Sequence, residues 1–197
     1  MNKTALIAAS VMTLFASSSF AAPIDDAFAL YNRGDYASAI KAFRTLADQG
    51  NANAQFNLAV MYEQGQGVTQ CHVVALKWYR LSASHGFPEA QVMVGIMYDR
   101  GNGVPRDPVE AAKWQHLAAA QGNFTAQAAL GSKYFFGSGV EKDYSRAFMW
   151  FTIAAAAGSM SAKKGLENLV PMMTPAQVEE GRTRTEACKR QKLKNCD

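Results

Sequence analysis

Residues 87–122 read FPEAQVMVGIMYDRGNGVPRDPVEAAKWQHLAAAQG, and this stretch decides the fold. Shifted by 36 residues in either direction, its rarest residues fall on copies of themselves. Trp78, Trp114 and Trp150, the three Trp of the chain, keep that interval. So do Tyr62, Tyr98 and Tyr134, the pairs Ala54-Gln55, Ala90-Gln91 and Ala126-Gln127, and Gly86, Gly122 and Gly158. Two glycine series repeat with them: Gly65, Gly101 and Gly137, then Gly67, Gly103 and Gly139, each of the latter followed by Val. Three units of 36 residues follow without insertion: 51–86, 87–122 and 123–158. A fixed period of this length marks a stack of small units rather than one round core.

Each unit reads as two helices. Ala54, Leu58, Met61 and Tyr62 have the i, i+4, i+7, i+8 spacing of one helical face. Gly-x-Gly-Val then turns the chain, glycine supplying positive φ without a Cβ clash. Asp107 and Asp143 stand where an N-cap belongs, and Pro108 suits the first helical position after Asp107. The second helix carries Ala75, Trp78 and Ala83 and ends at Gly86. Cys71 occupies the cap position of its unit, a loss of about 1 kcal/mol unless Thr69 takes over.

These residues resemble the Sel1-like repeat family, relatives of the tetratricopeptide repeats. The resemblance rests on Ala90-Gln91, Gly95, Tyr98, Gly101, Gly103-Val104, Asp107, Ala111, Trp114, Ala118-Ala119 and Gly122. The unit at 51–86 departs from the pattern at Ala59 and Cys71. Residues 22–50 match weakly, through Tyr31, Gly34-Asp35-Tyr36, Ala39, Ala47 and Gly50, and look like a degenerate tetratricopeptide-like cap lacking the Gly-x-Gly turn. The resemblance implies an all-α, α/α superhelical solenoid of helix-turn-helix repeats. C-terminal capping helices and a basic tail are expected over 159–197. There, Ala162 to Val170 can form one helix. Thr174-Pro175-Ala176-Gln177 opens another as a capping box, running to about Arg190.

The chain has 197 residues, a formal charge of +4, 49% hydrophobic and only 18% charged residues. A typical chain is about 25% charged, so a disordered polyelectrolyte is excluded. Its 34 Ala and six Pro favour helices over sheets. Lys3, the apolar run Ala5 to Phe15 and Ser19-Phe20-Ala21 read as a signal peptide over 1–21, cut after Ala21. The run is too short to span a bilayer. The style of the signal is bacterial, so the expected location is the periplasm or outside the cell.

Several chemistries are weighed and set aside. The Gly-x-Gly turns lack the third glycine and preceding strand of a dinucleotide fingerprint. The Trp and Tyr series reads as inter-helix core rather than a ligand stack. His72, His85 and His116 show no metal spacing, and no cofactor is implied. Ser38-x-x-Lys41 and Ser161-x-x-Lys164 match the first element of penicillin-interacting enzymes, without the Ser-Asp-Asn and Lys-Thr-Gly companions. Some relatives in the family carry a β-lactamase label, so a β-lactamase-like envelope hydrolase stands as the enzymatic alternative.

The three cysteines, in an exported chain, are expected to pair. On one unbroken helix Cys188 and Cys196 would lie about 12 Å apart. A disulfide requires a Cα separation of roughly 4.4–6.8 Å, so this pair needs the helix to end first, which Lys194-Asn195 permits. Cys71 is then odd, and pairing of Cys71 with Cys188 or Cys196 stays open if the tail folds back. Basicity is concentrated at the end: Arg182, Arg184, Lys189, Arg190, Lys192 and Lys194 face only Glu186 and Asp197 within the last sixteen residues. This tail is a candidate contact for an anionic envelope surface or an acidic protein. No aromatic residue interleaves with these charges, so nucleic acid is not expected.

In tetratricopeptide-like arrays the first helix of each unit lines the concave face. Opposite its core stripe lie repeat positions 3, 7, 10 and 14. These are Asn53, Asn57, Val60 and Gln64, then Glu89, Met93, Ile96 and Arg100, then Thr125, Ala129, Ser132 and Phe136. An apolar groove with a few polar anchors suits an extended peptide or a partner helix. The sequence thus favours a non-catalytic exported scaffold for protein–protein interaction, with a secreted host-interacting factor as another reading.

Overall fold

The computed structural model describes residues 24–194 and Cys196; the signal-peptide reading of 1–21 lies outside them. Ten helices succeed one another, with no strand among the described residues. They are α1 (Ile24–Asn32), α2 (Tyr36–Asp48), α3 (Ala52–Gln64), α4 (His72–Ser84), α5 (Pro88–Arg100), α6 (Pro108–Ala120), α7 (Phe124–Phe136), α8 (Tyr144–Ala156), α9 (Met160–Leu169) and α10 (Pro175–Arg190). A 3₁₀ turn over Val170–Met172 joins the last two. Neighbours in sequence pack against each other from α1 to α9, whereas α10 returns to lie on α8. The result is a helical solenoid.

The repeated residues act at the joints. Gly65, Gly101 and Gly137 end α3, α5 and α7 in the left-handed region, at φ 71°, 75° and 73°. The second glycine of each turn serves a different purpose. A Cβ at Gly67 would lie 2.6 Å from Tyr36 O, and one at Gly103 2.6 Å from the His72 carbonyl carbon. At Gly139 it would overlap Pro108 O outright. Each turn therefore presses its backbone onto the first turn of the second helix in the preceding unit, and only glycine is small enough.

The recurrent Ala-Gln dipeptide holds the other side of the joint. Gln55, Gln91 and Gln127 are buried, and their Nε2 atoms donate to Ala47 O, Ala83 O and Ala119 O at 3.0, 3.2 and 3.2 Å. The last carbonyls of a helix lack partners within it. Here the next unit supplies one, so the same glutamine caps one helix and fixes the register of the next.

Asp107 and Asp143 cap α6 and α8 through Glu110 N, Val109 N and Arg146 N. Cys71 begins α4 with the same extended backbone (φ −151°, ψ 100°) and no side-chain cap. Cys71→Asp should therefore raise stability by about 1 kcal/mol, read as a higher urea midpoint at unchanged m.

The core departs from strict repetition in two ways. Trp150 is buried, but Trp78 and Trp114 are only half-buried, and Trp114 Nε1 donates to Glu110 Oε1 at 3.1 Å. The core stripe also holds a charge. Lys133 occupies the position of Met61 and Met97 and is buried like them. It stays there because its Nζ lies 2.6 Å from Asp99 Oδ1 and donates to Pro108 O at 3.3 Å.

Candidate interaction surface

First helices α3, α5 and α7, with α9 following, form one layer; second helices α4, α6 and α8 form the other. The predicted stripe lies on the first layer and is graded along it. In α3, Asn57 Nδ2 donates to Asn53 O and Oδ1 at 2.8 and 2.6 Å, so both side chains are held close to their own helix. Val60 and Met93 are half-buried against the core shared by α3 to α6, and Ile96 against that of α7 and α8. These three pack between units as much as they face outward. Gln64, Glu89, Arg100 and Thr125 are exposed.

The stripe opens into a shaped surface at α7. Phe136 is 72% exposed and stands between two recesses. One, of about 300 Å³, is lined by Ala129, Ser132 and Phe136 together with Asp99, Arg106 and Lys133. The other, of about 200 Å³, lies toward α9 and is lined by Ser132, Phe135, Phe136, Phe151 and Lys164. Phe135 and Phe136 meet edge to face at 4.6 Å, which holds the exposed ring upright. Gly131 and Gly165 admit the Phe151 ring: a Cβ at either would lie 2.5–2.7 Å from it.

The floor of the first recess is polar. Asp99 accepts from Lys133 Nζ at 2.6 Å and from Gln115 Nε2 at 3.1 Å. Ala129, Ser132 and Phe136 were legible from spacing, but this floor was not. One signal existed: Lys133 breaks an apolar position, and Asp99 sits two positions further along the preceding unit. The pair equivalent to Gln115 and Asp99 one unit earlier is Tyr79 and Glu63. Burial of the Tyr79 ring, together with its 2.7 Å hydrogen bond to Glu63, pushes the phenol well above its ordinary range. One unit later the positions hold Phe151 and Phe135.

The two Ser-x-x-Lys motifs are placed differently. Ser38 lies in the first turn of α2, where its backbone N–H donates to Asp35, and Lys41 is exposed. Ser161 lies in the first turn of α9 with its Oγ 3.0 Å from Ser159 Oγ. General-base activation needs the base within hydrogen-bond reach of the nucleophile. Ser161 instead spends its hydroxyl contact on another serine. Among the described residues, no group of three or more His, Cys, Asp or Glu could hold a metal ion. No helix among them is long and apolar enough to cross a membrane.

At the C-terminus α10 ends at Arg190, and Lys192 and Leu193 take left-handed backbone (φ 53° and 65°). That reversal brings Cys196 back to Cys188, with a Cα separation of 4.8 Å and a disulfide between them. Cys71 is a free thiol. The basic residues of this segment are partly neutralised within α10. Arg184 pairs with Glu180 at 2.8 Å, Lys189 with Glu186 at 3.5 Å and Arg182 with Glu179 at 3.9 Å. Glu180 is held below the usual carboxylate range by Arg184 and by Ser145. Counting charge from residue 182 onward separates Arg182 and Arg184 from acids one turn upstream. Arg190 Nε donates to Glu186 O, and Lys192 and Lys194 are exposed.

Comparison with known proteins supplies the remaining observations. A family model described as the Sel1 repeat matches residues 52–87, 88–123 and 125–159, together more than half of the chain. A crystal structure of a protective antigen present in uropathogenic Escherichia coli strains, displaying an SLR fold, is similar at 36% identity and a TM-score of 0.67. The match covers 71% of this chain and 32% of that one. A Sel1 repeat protein from Oxalobacter formigenes is similar at 32% identity and a TM-score of 0.68, with coverage of 76% and 64%. The chain thus spans less than two thirds of either structure it resembles. No curated protein matches it.

Proposed function

The chain belongs to the Sel1 repeat family, and on that footing we propose that it is a non-catalytic exported scaffold that binds another protein or peptide on its first-helix layer. Phe136, exposed between two recesses on α7, carries this reading. A large ring held clear of the core by Phe135 is a poor use of apolar surface in a monomer. It is the anchor type that dominates binding energy when a partner covers it. Ala129, Ser132 and the Asp99–Lys133 floor supply small and polar neighbours for a peptide backbone or side chain.

Export is supported by the leader reading of residues 1–21 and by the Cys188–Cys196 disulfide, a bond that persists in oxidising compartments. The absence of an activated nucleophile at Ser161 weighs against the hydrolase alternative.

Affinity capture from an envelope extract tests the reading. Phe136→Glu and Arg100→Glu alter exposed side chains and should leave the fold intact. The wild-type chain is expected to retain a defined partner that Phe136→Glu loses at least about tenfold, equivalent to about 1.4 kcal/mol. An unchanged capture profile would remove the first-helix layer as the binding face.

A further inference from the structure

The second-helix layer carries its own repeated stripe, facing away from α7's recesses. Val73 and Leu81 on α4, and Val109 and Leu117 on α6, occupy equivalent repeat positions, and all four are exposed, Val73 at 64% and Val109 at 53%. The equivalents on α8 are Ser145 and Ile153, and both are buried. The following first helix is not the cause, because α5 packs on α4 and α7 on α6 as α9 does on α8. What distinguishes α8 is α10.

That helix shows what this stripe accepts. It runs alongside α8 in the same direction. Ser145 Oγ donates to Gln177 O at 3.1 Å and bonds Glu180 Oε2 at 2.9 Å. One turn on, Gly181 lies against Phe148, where a Cβ would come within 2.7 Å of the ring. The buried residues of α10 are Gly181, Thr185 and Cys188, all small, so the two helices approach closely. Ser145, Phe148 and Thr152 are the repeat equivalents of Val73, Leu76 and Arg80.

On α4 that same stripe is open. It lines a cavity of about 570 Å³ with apolar walls from Val73, Leu76, Leu81 and Trp114. Among the described residues, the charged ones that line the cavity are Lys77 and Arg80. Both are exposed, and neither forms an ion pair among the described residues. An apolar groove rimmed on one side by two unpaired cations favours an apolar ligand flanked by carboxylates.

We propose that the outer groove of α4 and Trp114 binds an amphipathic α-helix of a partner protein, laid alongside α4 as α10 lies alongside α8, with a stripe of small and apolar residues flanked by Glu or Asp. The surface is separate from the α7 recesses and does not depend on the function proposed for them.

Two fluorescein-labelled helical peptides, each of 16 residues like α10, test it by anisotropy against the purified chain. They share a Leu/Ala/Gly stripe and differ in Glu or Lys flanks. The Glu-flanked peptide should bind saturably and at least about tenfold tighter than the Lys-flanked one. Val73→Lys with Leu81→Lys should abolish that binding, and Lys77→Glu with Arg80→Glu should reverse the preference between peptides. All four side chains are exposed, so circular dichroism melts should match the wild type. Phe136→Glu should leave peptide affinity unchanged, which separates this site from the first-helix layer. Absence of saturable binding, equal binding of both peptides, or insensitivity to the groove substitutions would overturn the proposal. A wild-type dimer that Val73→Lys dissociates in sedimentation would assign the groove to a second copy instead and overturn it equally.

Discussion

Asp99→Ala destabilises the protein by about 3 kcal/mol, whereas Lys133→Met changes its stability by less than about 1 kcal/mol. The asymmetry follows from which partner is buried. The Lys133 side chain is 5% exposed and the Asp99 side chain 29%. Removing the carboxylate leaves a nearly buried ammonium at the floor of the recess with the Pro108 carbonyl, at 3.3 Å, as its remaining partner among the described residues. Breaking a buried pair in this way typically costs 3–5 kcal/mol, and partial access of water to the Asp99 side places this one at the lower end. Gln115 Nε2 loses its acceptor as well. Removing the lysine instead leaves Asp99 with Gln115 and solvent, and puts at 133 the residue that already fills the position at Met61 and Met97. The double variant, Asp99→Ala with Lys133→Met, should recover most of the loss. Urea denaturation of the four proteins checks the cycle. Equal losses for the two single variants would show that the pair stabilises by direct attraction rather than by compensating burial.

Gly139→Ala should cost more than 3 kcal/mol, the largest effect expected of any one-methyl change here. A residue with a Cβ at φ +75° pays roughly 1–2 kcal/mol for the left-handed backbone alone. The added methyl also overlaps Pro108 O, a backbone atom of α6 that cannot move without dismantling the joint between units. Gly122→Ala supplies the comparison. Its φ is +87°, but its nearest neighbour to a Cβ is Leu193 Cδ1 at 3.9 Å, so only the backbone penalty of roughly 1–2 kcal/mol remains. In a stacked array stability is a sum of units and interfaces. Gly139→Ala should therefore split the unfolding transition, with α7 to α10 losing hydrogen-exchange protection before α1 to α4. A single transition shifted no further than that of Gly122→Ala would show that the turn does not carry the interface.

What could be read in advance divides along the same physical line. The period of 36 located every repeat helix because Gly, Asp and Trp recur where local geometry demands them, and those demands are local in sequence. The task of Gln55, Gln91 and Gln127 was not legible, because an amide reaching the last turn of another helix leaves no periodic trace beyond its own recurrence. Lys133 was hidden for the converse reason: it is an exception within a pattern, and its partner Asp99 lies nearly one repeat away. Of the candidate stripe, Ala129, Ser132 and Phe136 share one recess. Val60, Met93 and Ile96 turn partly inward, because spacing fixes which way a side chain points but not how near the next unit stands. The outer stripe of Val73, Leu81, Val109 and Leu117 escaped notice because two positions per helix are too few to mark a face. Only the burial of their equivalents on α8, Ser145 and Ile153, with α10 bonded to Ser145, gives them meaning.

Site-specific photocrosslinking in living cells tests the central claim, that the first-helix layer is the binding face. A photoreactive residue is placed in turn at Ile96, at Phe136 and, as a control on another surface, at Arg44, and the adducts are identified by mass spectrometry. The account predicts one shared partner crosslinked from Ile96 and Phe136, through neighbouring segments of that partner, and no adduct with it from Arg44. Adducts from all three positions with the same set of proteins, or none from Ile96 and Phe136, would contradict it.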